Sequence, residues 1–166
     1  MRDTDGYSLF KIGNSMNAGY VTGLVTMEKE NTAVTVSSDG HINLWDYGSA
    51  DLCSLQIVHH GHSNKANGVS MNPESTEKVF VTCSDDRSCL IWDLRDVLSP
   101  GAIGLYENHK FSFNTVYWTK STENNGLIMA GDENGNVLTF DIRKPHSIYS
   151  QVKASDRAIK KICFNG

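Results

Sequence analysis

An aromatic–aspartate pair recurs along this chain at nearly constant spacing. Trp45-Asp46, Trp92-Asp93 and Phe140-Asp141 lie 47 and 48 residues apart. A period of that size marks a chain built from stacked supersecondary units, so it constrains the fold more than any local propensity. Superposed on the pair, the segments read "SSDGHINLWD", "DDRSCLIWD" and "ENGNVLTFD". Asp39, Asp86 and Asn134 then coincide, followed by Gly40, Arg87 and Gly135. Asp-Gly and Asn-Gly between alternating apolar runs predict a tight hairpin turn with positive φ at both central residues. Arg87 suits that backbone less well than glycine.

β-rich runs flank each turn. Before it stand "NTAVTVS", "KVFVTCS" and "GLIMAGD"; after it stand "HINLWD", "SCLIWD" and "NVLTFD". An inner strand precedes each hairpin: "VTGLVT" in the first unit, then strands within Gly61–Pro73 and Asn108–Trp118. "AIKKICF", Ala158–Phe164, predicts a fourth inner strand. Outer strands are expected at "LCSLQIV", "AIGLYEN" and "SIYSQV", with "YSLFKI" as one more near the start. The expected fold is all-β, in repeat units at 14–60, 61–107 and 108–153 with an incomplete unit at 154–166.

Composition narrows the function classes. Hydrophobic residues make up 39% and charged residues 20%, a globular balance. The net charge of -4 and the lack of a Lys/Arg cluster disfavour direct nucleic-acid binding. No apolar run approaches the length of a membrane-spanning helix, and no signal peptide is expected. Cys53, Cys83, Cys89 and Cys163 form no C-x-x-C pair, which predicts reduced thiols in the cytosol or nucleus.

Several sharper readings compete with simple architecture. Ser84, Asp86 and His62 supply the residue types of a hydrolytic triad. His59, His60 and His62 near Cys53 suggest a metal site, but no second ligand cluster stands at zinc spacing. "GDENGN" resembles part of a calcium loop but lacks the alternating carboxylates and closing glutamate. Ser99 before Pro100 is a candidate phosphorylation site in a surface loop.

Four-stranded units carrying Gly61-His62, Pro73, Asp86 and Trp92-Asp93 resemble the WD-repeat β-propeller family over nearly the whole length. The resemblance implies a partial WD-repeat propeller of about three complete blades plus flanking strands. It also implies a hydrogen-bonded structural network instead of catalysis. In the second unit its members are His62, Thr82 or Ser84, Asp86 and Trp92. The first unit keeps Ser37, Asp39 and Trp45, with Asn17 in the histidine position. The third has His109, Asn134 and Phe140. Neither a cofactor nor a metal is implied. A closed ring of roughly seven blades needs about 300 residues, so further blades or a partner are expected to complete this arc.

Within the family, "EKVFVTCSDDRSCLIWDLR" followed by "MAGDENGNVLTFD" is similar to the methylosome protein 50 and Valois group. That resemblance implies a non-catalytic partner of an arginine methyltransferase, presenting histone or Sm-type arginine-rich tails, with Tudor-domain proteins as further partners. Cytoplasmic and nuclear localisation follows. Candidate protein-binding residues are Asp85, Arg87, Asp132 and Glu133, on an acidic rim expected to attract basic tails. A second reading takes "WDLR" and "FDIR" as paired W-D-x-R boxes of a cullin–RING ligase receptor, with Arg95 and Arg143 facing the adaptor.

Overall fold

β-branched and aromatic residues fill the apolar runs, and Gly, Asn, Asp and Ser punctuate them, so local preference and period-two alternation agree. The computed structural model describes residues 19–27, 31–48, 53–58, 61–73, 79–93, 102–106, 109–120, 126–144 and 146–163. They form three antiparallel four-stranded sheets, each a run of consecutive strands. The first holds β1 (Val21–Met27), β2 (Thr32–Ser37), β3 (Ile42–Asp46) and β4 (Cys53–Val58). The second holds β5 (Ala66–Met71), β6 (Val79–Ser84), β7 (Cys89–Asp93) and β8 (Ala102–Tyr106). The third holds β9 (Phe113–Trp118), β10 (Leu127–Asp132), β11 (Asn136–Asp141) and β12 (Ile148–Lys153). Each sheet is one of the repeat units expected from the sequence, a blade of the expected arc.

The core lies between blades. Alternate side chains of β6 and β7 point to opposite faces of the second blade. Phe80, Leu90 and Trp92 pack on Val34, Val36, Ile42 and Leu44 of the first blade. Val81, Cys83, Cys89 and Ile91 pack on Phe113, Val116, Trp118 and Ile128 of the third. Burial on both faces explains why every residue of β2 is buried, and why every residue of β6 after Val79 is buried too.

Each inner strand carries a one-residue bulge, at Thr22, Asn67 and Asn114. The bulge turns its side chain toward the neighbouring blade. The Thr22 hydroxyl donates to the Ala66 carbonyl at 2.5 Å, and the Asn67 amide donates to the Phe113 carbonyl at 2.8 Å.

Two sequence expectations need correction. Only the second residue of each turn pair has positive φ: Gly40 at 82°, Arg87 at 68° and Gly135 at 85°. The loops have three residues, a type I turn closed by a left-handed residue, with Gly40, Arg87 and Gly135 donating to the carbonyls of Ser37, Ser84 and Asp132. Right-handed backbone at Asp39 and Asp86 lets each carboxylate accept the amide two residues on, from His41 and Ser88. The second correction concerns Ala158–Phe164. Residues 158–163 form no strand. The segment instead hangs on the third blade, through Ile159 N–H to the Asp132 carbonyl at 3.0 Å and Ile162 N–H to the Thr115 hydroxyl at 3.3 Å. It lies beside β9 without an antiparallel partner among the described residues, and a ladder needs one. The "YSLFKI" segment lies outside the described residues.

Candidate functional site

The three turns share one face with the loops that enter the next blade. Asp85 N–H donates to the Lys65 carbonyl and Glu133 N–H to that of Ser112. The carbonyls of Gly40 and Arg87 accept from His62 and His109, the first loop residues of the following blades. Asp39, Asp85, Asp86, Arg87, Asp132, Glu133 and Asn134 sit at these turns, with His62 and His109 in the facing loops.

In the second blade a hydrogen-bonded chain runs from the core to the turn. Trp92 Nε1 donates to Thr82 Oγ1 at 2.8 Å. Thr82 Oγ1 lies 2.7 Å from His62 Nε2, and His62 Nδ1 lies 2.9 Å from Asp86 Oδ2. For a neutral imidazole the directions run one way. The threonine hydroxyl accepts from the indole and donates to Nε2, so Nδ1 carries the proton that reaches Asp86. Ser88 Oγ donates to Asp86 Oδ1 at 2.5 Å, and Ser63 N–H adds a bond to Oδ2 at 3.0 Å. Ser84 stands apart. Its hydroxyl accepts from Asp86 N–H at 3.0 Å and lies 3.3 Å from the Asn64 carbonyl, capping the turn. Thr82, not Ser84, is therefore the node. Ser84 is fully buried and has no contact with His62 that would make it a nucleophile.

The first blade keeps half of this chain. Trp45 Nε1 donates to Thr35 Oγ1 at 2.8 Å. Asp39 is held by Ser37, by the Gly19 amide and by His41, whose Nδ1 is 3.0 Å from Oδ2. His41 occupies the position of Ser88, so this histidine approaches the carboxylate from the opposite side of the turn. Asn17 lies outside the described residues.

The third blade replaces the polar chain with aromatic packing. Ala130 stands at the Thr35 and Thr82 position, exactly where the tryptophan becomes Phe140. Losing the indole donor and its acceptor together leaves nothing unpaired. The Phe140 ring lies 3.8 Å from that of Tyr106, and Phe113 packs edge-on to it. Burial, with the nearby Asp141 and Cys89, pushes the Tyr106 hydroxyl up to about 12. Among the described residues the His109 imidazole bonds only within its own loop, to the Phe111 backbone, and packs tilted against the Phe113 ring. Asn134 is exposed, and its carbonyl takes the Lys153 ammonium. Neither joins a network of the second-blade kind.

The surface set also needs revision. Asp132, expected on an acidic rim, is fully buried. It takes the place of Ser37 and Ser84 and receives Asn136 N–H and Nδ2 at 2.8 and 2.7 Å. Asp85 is half-buried and accepts from Asn67 at 2.6 Å. Glu133 is exposed, with one oxygen 3.3 Å from Ser112 N–H. Arg143 closes a two-pronged pair on Asp141 at 2.9 and 2.6 Å. That pairing raises the guanidinium and lowers Asp141 to about 2. Arg95, Ser99, His59 and His60 lie outside the described residues. Among the described residues no three His, Cys, Asp or Glu side chains converge as metal ligands do.

Arg87 is exposed, and it carries a side chain on the left-handed backbone that Gly40 and Gly135 also adopt. A non-glycine residue in this region costs about 1 kcal/mol. Arg87→Gly is therefore expected to stabilise the protein by about that amount, measured as a higher urea midpoint at unchanged slope.

The turn carboxylates make stability acid-sensitive. Burial pushes Asp86 up, but hydrogen bonds from His62 and Ser88, the His62 charge and the Ser63 amide hold it well below the usual carboxylate range. Asp39 is likewise raised by burial, yet hydrogen bonds from Ser37 and His41 bring it down to about 2 from 3.8. Folding lowers both, so their contribution is complete above the unfolded value and is lost as pH falls through the folded one. Stability is expected to be level down to about pH 4 and to fall steadily toward pH 2, with a smaller acid loss in Asp86→Asn; urea titrations across that range check this.

Comparison with known proteins places these features. The family described as WD domain, G-beta repeat matches residues 53–93. Protein valois of Drosophila melanogaster is 30% identical over all of this chain and 47% of its own length. Methylosome protein WDR77 of Xenopus laevis is 26% identical over 69% of this chain and 32% of its own. Among solved structures, the RRP9 WD40 repeats superpose with a TM-score of 0.74 at 14% identity, over 89% of this chain and 42% of that one. U3-55K gives 0.73, again at 14% identity, over 89% of this chain and 43% of that one. The chain thus spans about half the length of Protein valois and less of the other relatives named here.

Proposed function

Since the chain is a WD-repeat protein, we propose that it acts as a non-catalytic scaffold of methylosome type, binding an arginine methyltransferase and helping to present arginine-rich substrates. The observation carrying this reading is the likeness to Protein valois over the full chain, joined by that to Methylosome protein WDR77. The site chemistry supports a scaffold. Both ring nitrogens of His62 are committed to Thr82, Asp86 and Ser88, which leaves no free base beside a nucleophile. The partners would be the methyltransferase, with histones, Sm proteins or Tudor-domain proteins, in the cytoplasm and nucleus. Substrate tails would have to be read away from the turn face, where Asp132 is buried and Asp85 is engaged.

Co-purification with an arginine methyltransferase tests the proposal. Capture is expected to survive Arg95→Ala plus Arg143→Ala. Loss of capture of a cullin adaptor on the same double substitution would instead support the ligase-receptor reading. Ester or phosphate turnover abolished by Ser84→Ala would overturn both.

A further inference from the structure

On the turn face Asp39, Asp85, Asp86 and Asp132 are drawn inward, while Glu133 stays exposed. Carboxylates in tight turns accept backbone amides, so the fold draws them inward. Asp39, Asp85 and Asp86 are each occupied by groups of their own blade. Lysine and arginine have no such task in a turn. Among the described residues Lys65, Arg87 and Lys110 form no ion pair, and the latter two are exposed. They are also neighbours. The Lys65 carbonyl accepts from Asp85 N–H, and the Arg87 carbonyl accepts from His109 N–H beside Lys110. The three cations thus run along the turn face, from Lys65 over Tyr20 of the first blade to Lys110 in the loop entering the third. Aromatic rings support them: Lys65 Nζ lies 5.7 Å from the exposed Tyr20 ring, and Lys110 Nζ lies 5.3 Å from Phe111.

Arg87 adds a second, independent observation. At the equivalent Gly40 and Gly135, a Cβ would come within 2.4 and 2.0 Å of carbonyl oxygens in the next blade's loop. Arginine at this position therefore strains its own backbone and requires the facing loop to make room. Strain retained at an exposed charged residue points to a use for the charge.

We infer that this face, centred on Arg87 and flanked by Lys65 and Lys110, binds an acidic peptide segment of a partner protein. Three cations with interleaved rings match carboxylates along an extended peptide. They are too few, on a chain of net charge -4, to track a nucleic-acid backbone. The inference rests on the scaffold reading but not on the identity of the methyltransferase.

Fluorescence anisotropy with a labelled poly-glutamate peptide and the 166-residue chain tests it. Poly-glutamate is expected to bind more tightly than poly-glutamine of equal length, and added salt should weaken it. Arg87→Gly and Lys110→Gln should each weaken binding about five-fold, with Lys144→Gln as an unaffected control. Because Arg87→Gly is expected to melt higher than the parent, lost binding there cannot come from unfolding. No binding, equal binding of poly-glutamine, unchanged affinity of Arg87→Gly, or tighter binding of a single-stranded oligonucleotide would each overturn the inference. Methyltransferase capture by the same variants separates the two proposals. Capture retained with poly-glutamate binding absent sinks only this inference, whereas Arg87-dependent binding without capture sinks only the methylosome reading.

Discussion

Thr82→Val is expected to destabilise the protein by about 3 kcal/mol while leaving side-chain volume almost unchanged. The hydroxyl is the only link between Trp92 Nε1 and His62 Nε2, at 2.8 and 2.7 Å, and it is fully buried. Valine leaves both nitrogens without a partner, and each buried orphan costs about 1–3 kcal/mol. Thr35→Val supplies the internal comparison. There only the Trp45 indole loses its acceptor, at 2.8 Å, so about half the loss is expected. Urea unfolding of the two variants checks the ratio. Equal losses would show that His62 gains nothing from the threonine. Ala130 already carries the third blade's answer, since Phe140 presents no donor to satisfy.

Gly135→Ala should be the more damaging glycine substitution on the turn face, costing about 3 kcal/mol. Its φ of 85° strains any side chain by about 1 kcal/mol. The new Cβ would also meet the Ser155 carbonyl at 2.0 Å and that of Arg157 at 2.6 Å. These are backbone atoms, so the segment after β12 must move. Moving it endangers the bonds from the Ala154 and Ser155 amides to the Gly135 carbonyl, at 2.9 and 3.1 Å, worth about 1 kcal/mol each. The sign is opposite to that expected for Arg87→Gly at the equivalent place. Thermal melts of both variants, read as one pair, check the argument. A neutral Gly135→Ala would show that the terminal segment yields freely.

Much of this was legible in the sequence, because it depends on contacts between chain neighbours. The twelve strands follow from period-two alternation and from the turn residues, and each sheet pairs only consecutive strands. What escaped depends on reach across the pleat. Thr82 and Ser84 share a face, and alternation cannot choose between them. Register can. Trp92 pairs directly with Phe80, so Thr82 is its diagonal neighbour and Ser84 lies one step further. Trp45 pairs with Ala33 and reaches Thr35 by the same diagonal. A readable signal was present: threonine accompanies tryptophan in two units, and alanine accompanies phenylalanine in the third. The burial of Asp132 was hidden for another reason. "GDENG" looks like a solvated acidic turn, but the pull of the Asn136 amides turns its first carboxylate inward. The missing fourth strand reflects a ladder whose partner the local pattern cannot supply.

The family match at residues 53–93 starts on β4 and ends on β7. It therefore takes the outer strand of one sheet together with the three inner strands of the next. The repeat as the family defines it and the unit that folds as a sheet are out of phase by one strand. Deleting or grafting a sequence repeat would strip the outer edge from one blade and leave another without its own. Chimeras and truncations should accordingly be cut between sheets, in the loops around residues 61–65 and 109–112, where an exchanged segment keeps all four of its strands.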